Sequence, residues 1–183
     1  MPLISFFAGH SHAVVRNRKI ELEKAMQAWD FSDKLMYFAC HGSVTGSGSS
    51  LEQASLTLSD DDPILTTDII EWLGKQPLLT NPIVFIGACQ GGQMSSMFYD
   101  AFGLELLKGG SNCVLGPQVD LPSPFAAEYA IALFSRFLNG ERLGDVVQDI
   151  ARQCLLDRHN PLGLIVSMYR GLDTRLVAGP NDG

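Results

Sequence analysis

The sequence has 183 residues, of which 46% are hydrophobic and 18% are charged, and its formal net charge is -7. This length and apolar content suit a single folded domain over residues 1–183 and exclude a disordered chain. The negative charge argues against binding to nucleic acid or to an anionic membrane, because both need clustered Lys and Arg. No apolar run reaches the roughly 18 residues that span a bilayer, and the N-terminus lacks the basic start of a signal peptide, so we expect a cytoplasmic protein.

Short apolar runs alternate with a helical pattern at the start of the chain. The continuous apolar run Leu3–Ala8 predicts a strand buried on both faces of a parallel sheet. Apolar residues spaced as on one face of a helix predict an amphipathic helix over about 16–29. Residues 34–40 predict the next strand, which ends at His41 and is followed by a loop rich in Ser, Gly and Thr.

A hairpin, a helix and the strongest strand of the sequence are expected next. Alternation at 55–58, an acidic turn at 59–63 and Ile64-Leu65 predict the two arms of a small hairpin. Thr67 or Asp68 can cap a helix that runs through Leu73. The apolar run Ile83–Ala88 then predicts a buried strand that leads directly to Cys89 and a Gly-Gly loop.

The alternation of helices and strands continues through the second half of the chain. It predicts an α/β fold with a mostly parallel central sheet and helices on both faces, and such sheets bind ligands beyond the carboxyl ends of their strands. The expected elements are a helix at 95–107 ended by Gly109-Gly110, a strand at 112–115, helices from Ser123-Pro124 to about 138 and over about 143–156, and a strand at 164–168.

His41 and Cys89 each follow a predicted strand, so both are expected at the carboxyl edge of the sheet. Neighbouring strands lie about 4.8 Å apart, and residues just beyond their ends can approach each other. A thiol with a pKa near ~8.5 is a weak nucleophile unless a base such as imidazole converts it to thiolate. A lone strand-end cysteine is usually a packing residue, but its pairing with His41-Gly42 favours a catalytic pair of Cys89 as nucleophile and His41 as base. No third residue that orients His41 can be assigned.

The other cysteines and histidines do not predict a metal site. Cys40, Cys113 and Cys154 form no C-x-x-C pair and are expected to be packing residues. His10 and His12 have no third or fourth ligand nearby in the sequence, which favours an ordinary loop. We therefore expect neither a metal nor an organic cofactor.

The motif C-H-G at 40–42 together with A-C-Q-G-G at 88–92 resembles the CHAT domain, a member of the caspase and separase group of cysteine peptidases. The resemblance extends over most of the chain, through the L-x-L hairpin, the G-G-S-N-C-V-L-G strand and the N-P-L segment near the C-terminus. It implies a caspase-like three-layer sandwich, with His41 as the catalytic histidine, Cys89 as the nucleophile and Gly42 as the oxyanion-hole glycine. The backbone N–H groups of Gly42 and Cys89 would hold the oxyanion.

The resemblance implies a cysteine endopeptidase that cleaves a protein or peptide substrate through a thioacyl-enzyme intermediate. Gln90, Gln118 and Asp120 are the candidate substrate-binding residues, and Gln118 stands where many relatives carry a tryptophan beside the substrate pocket. Asp120 would either favour Arg or Lys before the scissile bond or make local backbone hydrogen bonds.

Alternatives stay open for how the protein is regulated and for whether it is a peptidase. Domains of this kind usually follow repeats or a sensor domain, so the regulator is expected in a separate chain, unless this chain is an excised domain. A non-catalytic CHAT-like module that binds a sensor protein is one alternative function. A Cys-dependent amidase or acyl transferase with a non-peptide substrate is the other, because a Cys/His pair suits that chemistry as well.

Overall fold

The computed structural model describes residues 2–9, 13–45, 53–59, 61–87, 102–119 and 121–176. The chain divides into two compact units. One unit comprises Met1–Val14, Leu121–Val166 and Arg170–Gly183, and the other comprises Val15–Asp120 and Ser167–Tyr169. The expected single domain over residues 1–183 stays a prediction. No helix in the described ranges is long and apolar enough to cross a membrane.

Among the described elements, single helices and strands alternate between residues 63 and 138, whereas two helices and then four strands follow one another at the start of the chain. The elements in chain order are α1 (Pro2–Ala8), α2 (Lys19–Met26), β1 (Leu35–Phe38), β2 (His41–Thr45), β3 (Gln53–Thr57), β4 (Pro63–Leu65), α3 (Thr66–Lys75), β5 (Ile83–Ile86), α4 (Leu104–Lys108), β6 (Cys113–Pro117), α5 (Ser123–Leu138), α6 (Leu143–Leu156), a 3-10 helix (Pro161–Ile165) and β7 (Val166–Tyr169).

A four-stranded sheet has the strand order β1-β5-β6-β7. Its central strand β5 runs parallel to β1, with Phe38 opposite Ile86, and parallel to β6, with Val84 opposite Val114. Every residue of β5 is at most 3% exposed, as expected of a strand that is covered on both faces. The predicted α/β fold with a mostly parallel sheet is confirmed, and the strands before His41 and Cys89 are neighbours.

A second sheet is antiparallel and has the strand order β2-β3-β4. Its strands β3 and β4 confirm the predicted hairpin arms. The prediction of a loop directly after His41 is wrong, because residues 41–45 form β2 and pair with β3. The Ser, Gly and Thr content of this segment is typical of loops, but pairing with β3 satisfies its backbone groups and keeps it extended.

One hydrophobic cluster joins both sheets to the helices of the same unit. Leu56 and Ile64 from the hairpin sheet lie in this cluster together with Ile86 from the parallel sheet. Trp72 of α3 and Met26 of α2 cover it and are at most 2% exposed. The hairpin sheet is therefore part of the same core as the strands that carry the candidate site.

The start of α3 is fixed by Asp68. Its carboxylate accepts a hydrogen bond from the N–H of Leu65 at 2.7 Å, so it caps the helix from the third helical position rather than from the N-cap itself. The same carboxylate pairs with Nζ of Lys19 at 2.8 Å. Nζ of Lys19 also donates to the carbonyl of Pro63 at 3.0 Å, which ties α2 to the start of β4.

The first segment of the chain is a helix, and the prediction of a strand at Leu3–Ala8 is wrong. Residues Pro2–Ala8 form α1, and the ring of Phe7 packs against Phe134 of α5 with centroids 5.3 Å apart. A short apolar run does not distinguish a buried strand from a helical segment by its periodicity.

The chain after β7 folds back onto α6. The carbonyls of Leu172 and Thr174 accept hydrogen bonds from the first N–H groups of this helix, those of Gly144 at 3.0 Å and Leu143 at 2.9 Å.

The predicted last strand begins two residues later than expected, because Asn160 accepts from the N–H of Leu162 at 3.0 Å and starts the 3-10 helix there.

Candidate functional site

His41 is the first residue of β2 and is exposed. The sequence placed it at the end of the strand 34–40, whereas β1 ends at Phe38 and two residues connect it to His41. His41 is paired with Thr57 of β3. The histidine therefore lies where the parallel sheet passes into the hairpin sheet.

The other half of the predicted pair, Cys89, lies outside the described residues, as do Gln90 and Asp120. The described chain reaches Gly87, whose N–H donates to the carbonyl of Phe38 at 2.9 Å. The hydrogen bonding between β1 and β5 thus continues one residue beyond β5. The meeting of His41 and Cys89 stays a prediction.

The backbone of β4 is engaged in part by groups outside the sheet. Pro63 has no N–H, and its carbonyl accepts from Nζ of Lys19. Leu65 donates its N–H to the carboxylate of Asp68. Hydrogen-bonded and non-bonded positions alternate along an antiparallel pair, so Ile64, between Pro63 and Leu65, is the residue of β4 that exchanges hydrogen bonds with β3.

This alternation fixes the direction of the Gly42 amide. Ile64 lies opposite Leu56, which therefore directs its N–H and C=O toward β4 and away from β2. Leu56 is also the residue opposite Gly42, so Gly42 occupies a non-bonded position and directs its own N–H and C=O away from β3. His41 and Ser43 make the hydrogen bonds to β3 instead. The N–H of Gly42 is thus not used in the hairpin sheet.

The face of the hairpin sheet that carries His41 also carries hydroxyl groups. Ser43, Ser55 and Thr57 share this face, because side chains two residues apart and directly paired residues lie on the same side. The hydroxyls of Ser43 and Ser55 are 2.8 Å apart, and Ser55 is only 5% exposed. Sequence reasoning missed these residues because β2 itself was taken for a loop.

Gln118 is the one candidate substrate-binding residue within the described ranges. It is half-buried just after β6, and its Nε2 donates to the hydroxyl of Tyr169 in β7 at 3.3 Å. Its amide therefore links the ends of two strands of the parallel sheet.

The three cysteines expected to be packing residues have the burial of such residues. Cys113 is 0% and Cys154 is 5% exposed, and Cys40 is half-buried against the hydrophobic cluster. Burial raises the pKa of the Cys113 thiol from its ordinary value of 9.0 to about 12, so this thiol stays protonated and unreactive at neutral pH. Within the described ranges, no group of three or more His, Cys, Asp or Glu side chains could hold a metal ion.

No protein-family model matches the chain, and no curated protein matches it. The resemblance of the C-H-G and A-C-Q-G-G motifs to those of the CHAT domain therefore stays a prediction from the sequence.

Proposed function

We propose that the protein is a cytoplasmic cysteine endopeptidase with a caspase-like three-layer fold, in which His41 and Cys89 act as a catalytic pair. One observation carries the proposal. Phe38 and Ile86 are directly opposite in the parallel pair of β1 and β5. His41 is the third residue after Phe38, and Cys89 is the third residue after Ile86. The base and the nucleophile thus follow a matched pair of strand residues by the same number of positions.

The Gly42 amide gives independent support. An oxyanion hole needs N–H groups that are not already used and that are held in place before the reaction. The Gly42 amide points away from β3 and so is not used in the pairing of β2 with β3, and the paired residues His41 and Ser43 on either side hold it in place. Gly42 is also buried, which strengthens a hydrogen bond to a developing negative charge.

The proposed reaction has two steps. The thiolate of Cys89 attacks the carbonyl carbon of the scissile peptide bond, and the N–H groups of Gly42 and Cys89 hold the oxyanion. The carbon–nitrogen bond then breaks as His41 donates a proton to the leaving amine, which leaves a thioester on Cys89. In the second step, His41 accepts a proton from a water molecule that attacks the thioester and releases the thiolate.

The proposal includes substrate-binding residues and a regulator. Gln118 is held at the carboxyl ends of β6 and β7 by its hydrogen bond to Tyr169, at the edge where sheets of this class bind ligands. We assign it, together with Gln90 and Asp120, to substrate binding. A separate sensor protein would regulate the peptidase.

The test uses peptidyl acyloxymethyl ketones with Arg, Asp, Leu or Met next to the reactive group, followed by mass spectrometry of the labelled protein. We expect a thioether adduct on Cys89, its loss in Cys89→Ala, and at least about a hundredfold slower labelling in His41→Ala. Cys40→Ala is the matched control, because it removes the thiol next to His41 and is expected to label at the wild-type rate.

The alternatives give different results in the same experiment. Labelling of Cys89 at equal rates in the wild type and His41→Ala would rule out the catalytic pair. No labelling, even with a cellular extract that supplies activators, would favour the non-catalytic interaction module. An adduct on Cys89 without cleavage of any protein would favour the amidase or acyl transferase.

A further inference from the structure

Helix α6 begins without a capping side chain. Its N-cap residue is an arginine, which makes no capping hydrogen bond. The first N–H groups of a helix have no partner within the helix. The segment 171–176, which we call the strap, supplies two partners: Leu143 donates to the carbonyl of Thr174 at 2.9 Å, and Gly144 donates to that of Leu172 at 3.0 Å. The strap thus takes the place of an N-cap.

Gly144 leaves room for the strap. A Cβ atom at this position would lie 2.8 Å from the carbonyl oxygen of Leu172, a distance that real Cβ atoms do not have. The atom it would meet belongs to the backbone, so no side-chain rotation relieves the clash. Gly144 does not have a positive φ angle. The need for glycine at position 144 therefore comes from the close approach of the strap and not from the backbone conformation of the helix.

Arg142 holds the strap from the side by its charge. Its Nη1 pairs with Asp173 of the strap at 2.7 Å, and its Nε donates to Asp145 of the helix at 2.8 Å. The side chain of Asp173 is 87% exposed. An ion pair between exposed groups is weak and is screened by salt. This contact therefore holds the strap only loosely.

The strap adds little to the core of its unit. Gly171 and Thr174 are half-buried, and the other four residues of the strap are exposed. Helix α6 has four buried residues of its own, Leu143, Val146, Ile150 and Cys154. Segments with few buried apolar contacts and solvent-exposed hydrogen bonds open at a low free energy. The bonds to the strap can therefore break while the buried face of α6 stays packed.

We propose that the strap opens and closes on α6 while the helix stays folded. In the closed state, strap carbonyls accept from the N–H groups of Leu143 and Gly144, and Asp173 pairs with Arg142. Opening releases these N–H groups and the guanidinium at the positive end of a helix. The strap thus controls access to the first turn of α6. This inference is independent of the peptidase proposal, because it does not involve the catalytic pair.

The test is the rate of amide hydrogen exchange at Leu143, measured by NMR. We expect Gly144→Ala to raise this rate by at least about tenfold, because the new Cβ displaces the carbonyl of Leu172. Alanine is the better helix former, so without a strap the same change would slow exchange in the first turn. The matched control is Gly74→Ala on α3, where a Cβ would meet nothing within 4 Å, and it should leave the rate at Leu143 unchanged.

A second measurement separates opening of the strap from unfolding of the helix. Opening of the strap exposes little apolar surface, so exchange at Leu143 should stay constant at low concentrations of urea. Exchange at Ile150, which is buried in the same helix, should accelerate with urea because it requires a larger unfolding.

A third measurement removes the ion pair. Asp173→Asn should raise the exchange rate at Leu143 by about two- to fivefold at low salt, and the difference from the wild type should disappear in about 1 M NaCl. Asp157→Asn is the matched control, because it removes the same charge at the other end of α6 and should leave the rate unchanged.

Each outcome decides the proposal. Faster exchange at Leu143 in Gly144→Ala, together with a constant rate in low urea, supports the strap. An unchanged or slower rate in Gly144→Ala overturns it, as does a urea dependence at Leu143 equal to that at Ile150. If Gly144→Ala does not fold, Asp173→Asn takes its place, and an unchanged rate at low salt then overturns the proposal.

Discussion

The parallel sheet and the hairpin sheet differ in what their faces contain. In β5 of the parallel sheet, every position is apolar and buried, on one face and on the other. In the hairpin sheet only one face is apolar, with Leu56 and Ile64 in the core, and the other carries His41 and hydroxyl groups. The parallel sheet thus supplies a buried central strand, while the hairpin sheet supplies polar groups beside His41. The hairpin sheet therefore contributes to the core with one face and carries polar groups on the other.

The largest effects should come from the core positions of both sheets. We expect Ile86→Ala in β5 and Ile64→Ala in β4 each to lower the free energy of unfolding by about 2–5 kcal/mol, because both side chains are 0% exposed in one cluster. Ile70→Ala, at a position 49% exposed on α3, is the matched control and should change it by less than about 1 kcal/mol. Urea denaturation measures all three. An Ile64→Ala effect as small as that of the control would mean that the hairpin sheet is not part of the core.

The next effect is a dependence of stability on pH, which we expect from Cys113 in β6 of the parallel sheet. Burial raises the pKa of Cys113 from 9.0 to about 12, so above pH 9 the unfolded chain releases this proton while the folded protein keeps it. From pH 9 upward, the free energy of unfolding should fall with rising pH in the wild type. Its slope should be steeper than that of Cys113→Ala by about 1.4 kcal/mol per pH unit. Equal slopes for the two proteins would show that the thiol is not protected from ionisation by the sheet.

A smaller effect should come from the hydroxyl pair on the polar face of the hairpin sheet. Ser43→Ala leaves the buried hydroxyl of Ser55 without its partner and should cost about 1–3 kcal/mol. Ser55→Ala leaves an exposed hydroxyl that water can hydrate and should cost about 0.5–1.5 kcal/mol. Equilibrium unfolding of the two variants and of the double variant measures the difference. The reverse order of costs would contradict the burial of Ser55.

The smallest effect on stability should come from His41. The side chain is exposed at the first position of β2, so His41→Ala should change the free energy of unfolding by less than about 0.5 kcal/mol. The same variant is expected to lose Cys89 labelling. A large loss of stability would instead identify His41 as a structural residue, and the loss of labelling would then say nothing about catalysis.

Most helices and strands could be predicted because their apolar residues recur at the spacing of their own element. The bounds of α6, Leu143–Leu156, agree with the sequence, because its buried residues are spaced as on one helix face. The four consecutive apolar residues of β5 predict a central strand, because a strand covered on both faces buries every side chain, and all four are buried. The apolar pattern within each of these elements is sufficient to predict it without knowledge of its partners in the fold.

The elements that sequence reasoning missed depend on partners elsewhere in the chain. The spacing of polar residues in Leu3–Ala8 does not distinguish a strand from a helix. The helix packs against α5, which lies more than 100 residues further along the chain. In β2, the extended conformation depends on its pairing with β3 rather than on its own Ser and Gly residues.

The candidate site shows the same division. The residue types of a Cys/His pair and their place after two strands can be taken from the sequence. The direction of the Gly42 amide cannot, because it follows from the register of three strands.

Pro63 has a consequence for β2 although it lies on β4, two strands away. As a residue without an N–H, it forbids one of the two possible phases of hydrogen bonding between β4 and β3, and through β3 it selects the phase of β2. A residue with an N–H at position 63 would remove this restriction and leave the hydrogen bond from the N–H of Leu65 to Asp68 as the other one that opposes the alternative phase. An exposed proline on a short strand therefore helps to set the direction of a backbone amide two strands away. A chain that keeps the C-H-G motif but lacks this proline would have to maintain the same phase by other means.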